Sequence, residues 1–163
     1  MAAAKMTQSQ LIKELASAGI PVGISIAPMI PALNDHELEN ILKQAMDAGA
    51  SNAWYTVLRL PHEVSPLFRD WLDTYAPGRA KHVMSLVQQM RGGKDYDSDF
   101  KNRMHGQGEF AKLLHQRFRI AAKRLGLERH KESWPALDCS QFTAPVLTKN
   151  RPAKKPSGQG ELF

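Results

Sequence analysis

Apolar and polar positions alternate in two rhythms along this chain. From Thr7 to Ala18, Leu11, Ile12 and Leu15 recur at helical spacing. Thr7 and Gln10 stand three apart, so each side chain can satisfy the other's free backbone amide at a helix start. Gly19 supplies the stop. From Pro21 to Pro28 the period drops to two: Val22, Ile24 and Ile26 alternate with small residues. This predicts a buried strand whose small-residue face lies close to something else. The run from Pro28 to Asp35 is a turn, and Asn34, Asp35 and Glu37 offer caps for a following helix. That helix, about 36–48, carries Leu38, Ile41, Leu42, Ala45 and Met46 on one stripe and stops at Gly49. A second strand runs over 53–60 and is ended by Pro61.

Helix, strand, helix, strand implies parallel βα units. Two strands are too few for a parallel sheet, which needs both faces covered. The pattern therefore reads as part of something larger. After Pro61 the chain turns helical. Leu67, Trp71, Leu72 and Tyr75 share one face of a helix ending before Pro77, and Ala80, Val83, Met84, Val87 and Met90 share another, ended by Gly92 and Gly93. A loop over 92–108 carries Lys94, Tyr96, Phe100, Arg103 and His105. A long helix over 109–125 turns Phe110, Leu113, Leu114, Phe118, Ala121 and Leu125 inward and stops at Gly126. From about Thr143 the composition shifts to Pro, Lys, Gly and Ser, which predicts a disordered tail. The expected organisation is thus 1–62, the distal half of a partial barrel; 63–142, a helical extension; and 143–163, the tail. The fold class is α/β.

Composition narrows the chemistry. With 42% hydrophobic and 23% charged residues over 163 positions, a globular domain is expected. No apolar run approaches the roughly 20 residues of a membrane helix, and the start shows no secretory pattern, so a cytoplasmic protein is expected. Cys139 is the single cysteine, which excludes an internal disulfide framework and any Cys-rich metal site built by this chain alone. The net charge of +6 suits nucleic acid, and suits an ordinary solvated basic surface equally.

Several runs resemble one family. Ala18-Gly-Ile-Pro-Val-Gly-Ile-Ser-Ile-Ala-Pro28 resembles the late barrel strand of spore photoproduct lyase. The fuller run from Gly19 to Asp35 resembles more closely the bacterial radical S-adenosylmethionine proteins of the DNA-repair-photolyase-like group. So do Leu58-Arg-Leu-Pro61, Met90-Arg-Gly-Gly-Lys94, Phe118-Arg119 with Arg124-Leu-Gly126, Ala136-Leu-Asp138 and the terminal Leu-Phe pair. The likeness extends from Gln8 to Phe163. It implies a partial (βα) barrel whose N-terminal half carries three cysteines at C-x3-C-x2-C spacing. Those thiolates hold a 4Fe–4S cluster that binds S-adenosylmethionine and reduces it to a 5′-deoxyadenosyl radical. This chain has none of the three. A fragment, a truncated product or half of a split protein is therefore expected, inactive alone, with cluster and cofactor belonging only to a full-length member. The implied partners are DNA and an N-terminal half bearing the cluster cysteines.

The resemblance places the cofactor's adenosyl group against Ser25, Ala27 and Pro28 at the strand end. The competing reading is that small residues merely let a helix pack closely. Arg59 matches an arginine at the equivalent strand end and can hold a carboxylate or a phosphate, or else form a structural ion pair. Asp35, His36 and Glu37 are consecutive and point in different directions, so capping is preferred to metal binding; His62, Glu63 and His105 are isolated. Cys139 reads as a structural or surface thiol. Between Lys101 and Lys131, nine Lys or Arg face two Glu. Arg117, Arg124, Arg129 and Lys131 are candidates to track a phosphate backbone, against the alternative of a solvated helix face. Gln159, Leu162 and Phe163 resemble the peptide that docks in the bacterial sliding clamp. Three functions compete: an enzyme part, a non-catalytic module binding nucleic acid or the clamp, and an inert remnant.

Overall fold

The computed structural model describes residues 7–128 together with 140, 142 and 143. By contact the chain divides into two compact units, Met1–Lys131 and Glu132–Phe163; every element below belongs to the first. Helix α1 spans Gln8–Ser17, and its start carries the expected reciprocal cap between Thr7 and Gln10. It ends where Gly19 takes a φ of 77°, a left-handed turn that costs glycine little. Strand β1, Gly23–Met29, follows. Next come a one-turn 3-10 helix, Asp35–Glu37, and α2, Leu38–Asp47. Asn34 makes no cap bond there. Its side chain instead accepts from the Ile30 amide and donates to the Pro28 carbonyl, which closes the turn at the end of β1. Strand β2 is Asn52–Val57, shorter than the expected 53–60 because the chain leaves the ladder before Leu58.

The two strands pair in parallel, Gly23 opposite Asn52 and Ile26 opposite Tyr55, with a register shift before Met29 and Val57. One face of this sheet is core. Ile26, Met29, Ala53, Tyr55 and Val57 are buried there against Leu38 and Leu42 of α2 and Leu114 of α5, the helix Gly108–Arg124. Each such aliphatic side chain contributes roughly 1.5–3 kcal/mol by leaving water. The helix layer over the sheet thus combines α2 with the distant α5.

Helices α3, Val64–Tyr75, and α4, Pro77–Gln89, form a second apolar cluster around Leu60, Leu72, Val83 and Val87. For α4 the expected face is the buried one. For α3 it is not: Leu72 is buried, while Leu67, Trp71 and Tyr75 are 65%, 43% and 72% exposed. The helical spacing holds, but of this stripe only Leu72 is buried in the cluster with α4; Trp71 instead stacks on Phe68 and leans against Tyr75. Leu113 on α5 is likewise outward, and the small Ala111 and Ala122 take the inward positions.

The 90–107 segment is tied down by two polar centres. Asp95 accepts from Arg69 Nε and Nη2 at 3.0 and 2.7 Å, and also from Ser65 and Gln88. Arg69's guanidinium, ahead of the two neutral donors, holds the Asp95 carboxyl at about 2, below its ordinary 3.8. A carboxyl lowered on folding stabilises the fold fully above its unfolded value and loses that contribution as pH falls through the folded one. We therefore expect urea stability to fall steeply between about pH 4 and pH 2. In Asp95→Asn that fall is shallower, and what remains belongs to Glu39, whose carboxyl Arg117 also lowers. Identical pH profiles for the two proteins would contradict this assignment.

The second centre is Arg91, 2% exposed at the end of α4. Nη1 donates to the Asn102 carbonyl and Nη2 to the Leu58 carbonyl, each at 2.8 Å. One guanidinium thus clips the exit of β2 to the loop.

Candidate functional site

The edges and faces of the sheet are unequal. On the far side of β2, Ala53 donates to the Leu127 carbonyl and Val57 to that of Met104. That edge is closed. Because Ala53 turns its amide away from β1, backbone alternation and the register over Gly23–Ile26 turn those of Gly23 and Ser25 outward from β1's other edge. Among the described residues no strand pairs there. Beside it runs a groove of about 460 Å³, bounded by Leu11, Ile12 and Leu15 of α1 and the length of β1.

The face opposite the core is open as well. Ser25, Ala27 and Pro28 are exposed, and Trp54 is 47% exposed. The small residues of β1 find part of their explanation here. A Cβ on Gly23 would collide with the Asn52 side chain and lie 2.8 Å from Trp54 Cζ3, so both side chains lie across the β1 backbone at that point. At Ser25 and Ala27 the surface is bare.

Arg59 lies beyond the end of β2 and is not grouped with the β1 residues. Its Nη1 contacts Met104 Sδ at 3.8 Å, and its Nε is buried without a hydrogen-bond partner. Arg103, stacked 3.7 Å over the Phe100 ring, has the same orphaned Nε. Neither forms an ion pair among the described residues.

Arg117 is committed within the fold. It donates from Nε and Nη2 to both Glu39 oxygens at 2.8 Å, from Nη1 to Asp35 Oδ2 at 3.2 Å and from Nη2 to the Asp35 carbonyl. These acceptors, Glu39 first, raise its pKa further and leave little donor capacity for phosphate. Arg124, one heptad on, is exposed and lines the same α2–α5 groove beside Lys43. Arg129, Lys131, Cys139, Gln159, Leu162 and Phe163 lie outside the described residues.

A polar cluster the sequence did not reveal sits on the core side of β2. Tyr55 Oη lies 3.4 Å from His115 Nδ1, and the His105 ring stands edge-on to Tyr55 at 5.2 Å. Burial pushes the Tyr55 hydroxyl up to about 12, and burial with His115 nearby lowers His105. A tyrosine on β2 and two histidines fifty and sixty residues on carry no local spacing that announces them. Of Asp35, His36 and Glu37, the first receives Arg117 and the other two lie 3.9 Å apart at the surface.

A 4Fe–4S cluster of the kind the resemblance implies takes three protein thiolates. The chain has one, and among the described residues no three His, Cys, Asp or Glu side chains form a metal-holding group. The residues present do not fit a cluster held by this chain alone. Among the described residues, no helix is long and apolar enough to cross a membrane. No protein-family model matches the chain, and neither a curated protein nor a solved structure matches it. Among the described residues the chain is thus an α/β protein with a two-stranded parallel sheet, closed on the β2 side and open along β1.

Proposed function

We propose that this chain is the distal part of a partial (βα) barrel of the radical S-adenosylmethionine type, silent until a cluster-bearing segment pairs with β1. The observation that supports the reading is the asymmetry of the sheet. Parallel strands are stable when both neighbours and both faces are covered. Among the described residues β2 has its cover on one side and β1 lacks one. A parallel strand laid beside β1 would fall in the groove under α1, and α1 would then be the crossover helix between that strand and β1, as right-handed βαβ connection requires. The strand comes from the same polypeptide in a longer chain or from a second one. In the completed barrel Ser25, Ala27 and Pro28 form a low wall for the adenosyl group at the strand ends, where ligands of such barrels gather. The thiolates come from the added segment. DNA repair is the role the resemblance favours.

Reconstitution with iron and sulfide tests this. The purified chain alone should stay colourless and leave S-adenosylmethionine intact. Mixed with a half-barrel carrying the C-x3-C-x2-C cysteines, it should yield a brown complex that cleaves the cofactor. A stoichiometric, reducible cluster on this chain alone contradicts the reading. The alternative, a non-catalytic module binding nucleic acid or the sliding clamp, draws on the exposed Arg119, Lys123 and Arg124 of α5. It predicts DNA binding by the chain alone that weakens steeply with salt.

A further inference from the structure

We propose that this chain associates with a second copy of itself, the aromatic stripe of α3 on one copy seated in the α2–α5 groove of the other. The stripe has the spacing of a docking helix: Val64, Leu67 and Trp71 stand at i, i+3 and i+7, and Tyr75 continues the row. All four are exposed. Phe68 and Leu72, the next positions round the helix, pack into the α3–α4 cluster and give the stripe a firm base. On the stripe's other side stand Glu63, whose backbone is already helical, and Asp70. They lie four residues before and three residues after Leu67, so both border it on the helix surface. Both are exposed, and neither carboxylate has a partner among the described residues. Arg69, the arginine of α3, is spent on Asp95.

The groove carries the opposite charge. It measures about 520 Å³, and Ile120, Ala121 and Leu125 of α5 give it an apolar floor. Its acid, Glu39, is matched by Arg117 at 2.8 Å, and Lys43 is held by Asp47 at 2.6 Å. That leaves Arg124 on the groove wall and Lys123 beside it, both exposed and without an acidic partner among the described residues. An apolar ridge edged by free carboxylates and an apolar groove edged by free cations are complementary in shape and in charge. Aromatic residues such as Trp71 and Tyr75 are the anchors such contacts use. No residue of α3 lines the groove, so the ridge does not fill it within one molecule. A second copy supplies each with the other. The contact closes as a two-fold pair when made twice and otherwise runs head to tail. This inference does not rest on the barrel reading; it uses no residue of β1 or of the groove under α1.

Sedimentation of the full chain over a wide range of concentration tests this, with two variants that each remove one half of the contact. Trp71→Glu spoils the ridge and Ile120→Glu the groove; both positions are exposed, so urea denaturation should find both variants folded. The parent should show a reversible rise in mass with concentration. Each variant alone should associate about tenfold more weakly or worse. Mixed in equal amounts the two should form a one-to-one complex, because Trp71→Glu keeps its groove and Ile120→Glu its ridge. A second arm reverses charge and leaves the apolar surface alone. Glu63→Lys with Asp70→Lys should weaken self-association, and so should Lys123→Glu with Arg124→Glu, while the two reversed proteins should pair with each other as the parent pairs with itself. A parent that is monomeric throughout, a variant that associates as the parent does, or mixtures that stay monomeric overturn the proposal. The charge-reversed pair decides even if an apolar variant fails to fold.

Discussion

Arg91→Met should lower the unfolding free energy by about 3–5 kcal/mol, the largest single-residue effect expected in this fold. Methionine keeps the length of the stem, so the loss isolates the guanidinium. It strands the Leu58 and Asn102 carbonyls, each of which accepts from Arg91 at 2.8 Å. A charge-assisted bond contributes about 1.5–3 kcal/mol, and a buried carbonyl left unpaired costs about as much as a lost bond. Arg91→Lys, able to reach one carbonyl at a time, should cost roughly half as much. Arg117→Met is the control, since its carboxylate partner Glu39 is nearly half exposed and screened by water; it should cost about 1 kcal/mol. Urea denaturation of the three variants measures the order. If Arg91→Met stays within 1 kcal/mol of the parent, the clip is not what joins the loop to β2.

Ser25→Pro should leave the isolated chain folded and abolish its pairing with the cluster-bearing segment. Proline is tolerated where a strand's N–H faces away from its ladder and is excluded where that N–H must donate to a neighbour. The β2 side of β1 is served by Ile24 and Ile26, whereas Ser25 faces the free edge. The variant should therefore keep its urea midpoint within experimental error of the parent. In a pull-down with the half-barrel its affinity should drop at least a hundredfold, as befits a lost backbone bond and a blocked register. Trp54→Ala offers a contrast: it alters the open face without touching the edge and should weaken pairing less. Equal loss of fold in Ser25→Pro would place the Ser25 amide inside the existing ladder.

Much of the scaffold was legible in the sequence because it is set by local rules. The Thr7–Gln10 cap, the stops at Gly19 and Gly126, the stripe of α4 and the period-two rhythm of β1 each follow from side chains within a few residues of one another. The small residues of β1 pointed to a close neighbour, which holds only at Gly23, where Trp54 and Asn52 lie close, and not at Ser25, Ala27 and Pro28, which are exposed. Elements that depend on distant partners were harder to read. The aromatic stripe of α3 has core periodicity, yet nothing in it tells that α4 covers only the Leu72 side. Asn34 has the residue type of a helix cap and serves the preceding turn, where it accepts from the Ile30 amide and donates to the Pro28 carbonyl.

The site was legible to a smaller degree. Arg59 stood out as a charge next to a strand end, but its contact with Met104, 45 residues on, arises from chain folding. Arg117 drew notice for its charge on a basic helix; its commitment to Asp35 and Glu39, about eighty residues away, reverses what that charge can offer to DNA. Residue type indicates what a side chain can do, and only packing decides with whom.

Amide hydrogen exchange at Ser25, with and without the half-barrel, tests the central claim most directly. In the isolated chain the Ser25 amide should exchange quickly while its neighbours Ile24 and Ile26, bonded to β2, exchange slowly. On adding the half-barrel it should slow by at least a hundredfold, together with the amide of Gly23. An amide already protected in the isolated chain, or one that stays fast in a complex able to cleave the cofactor, would contradict the open-edge account.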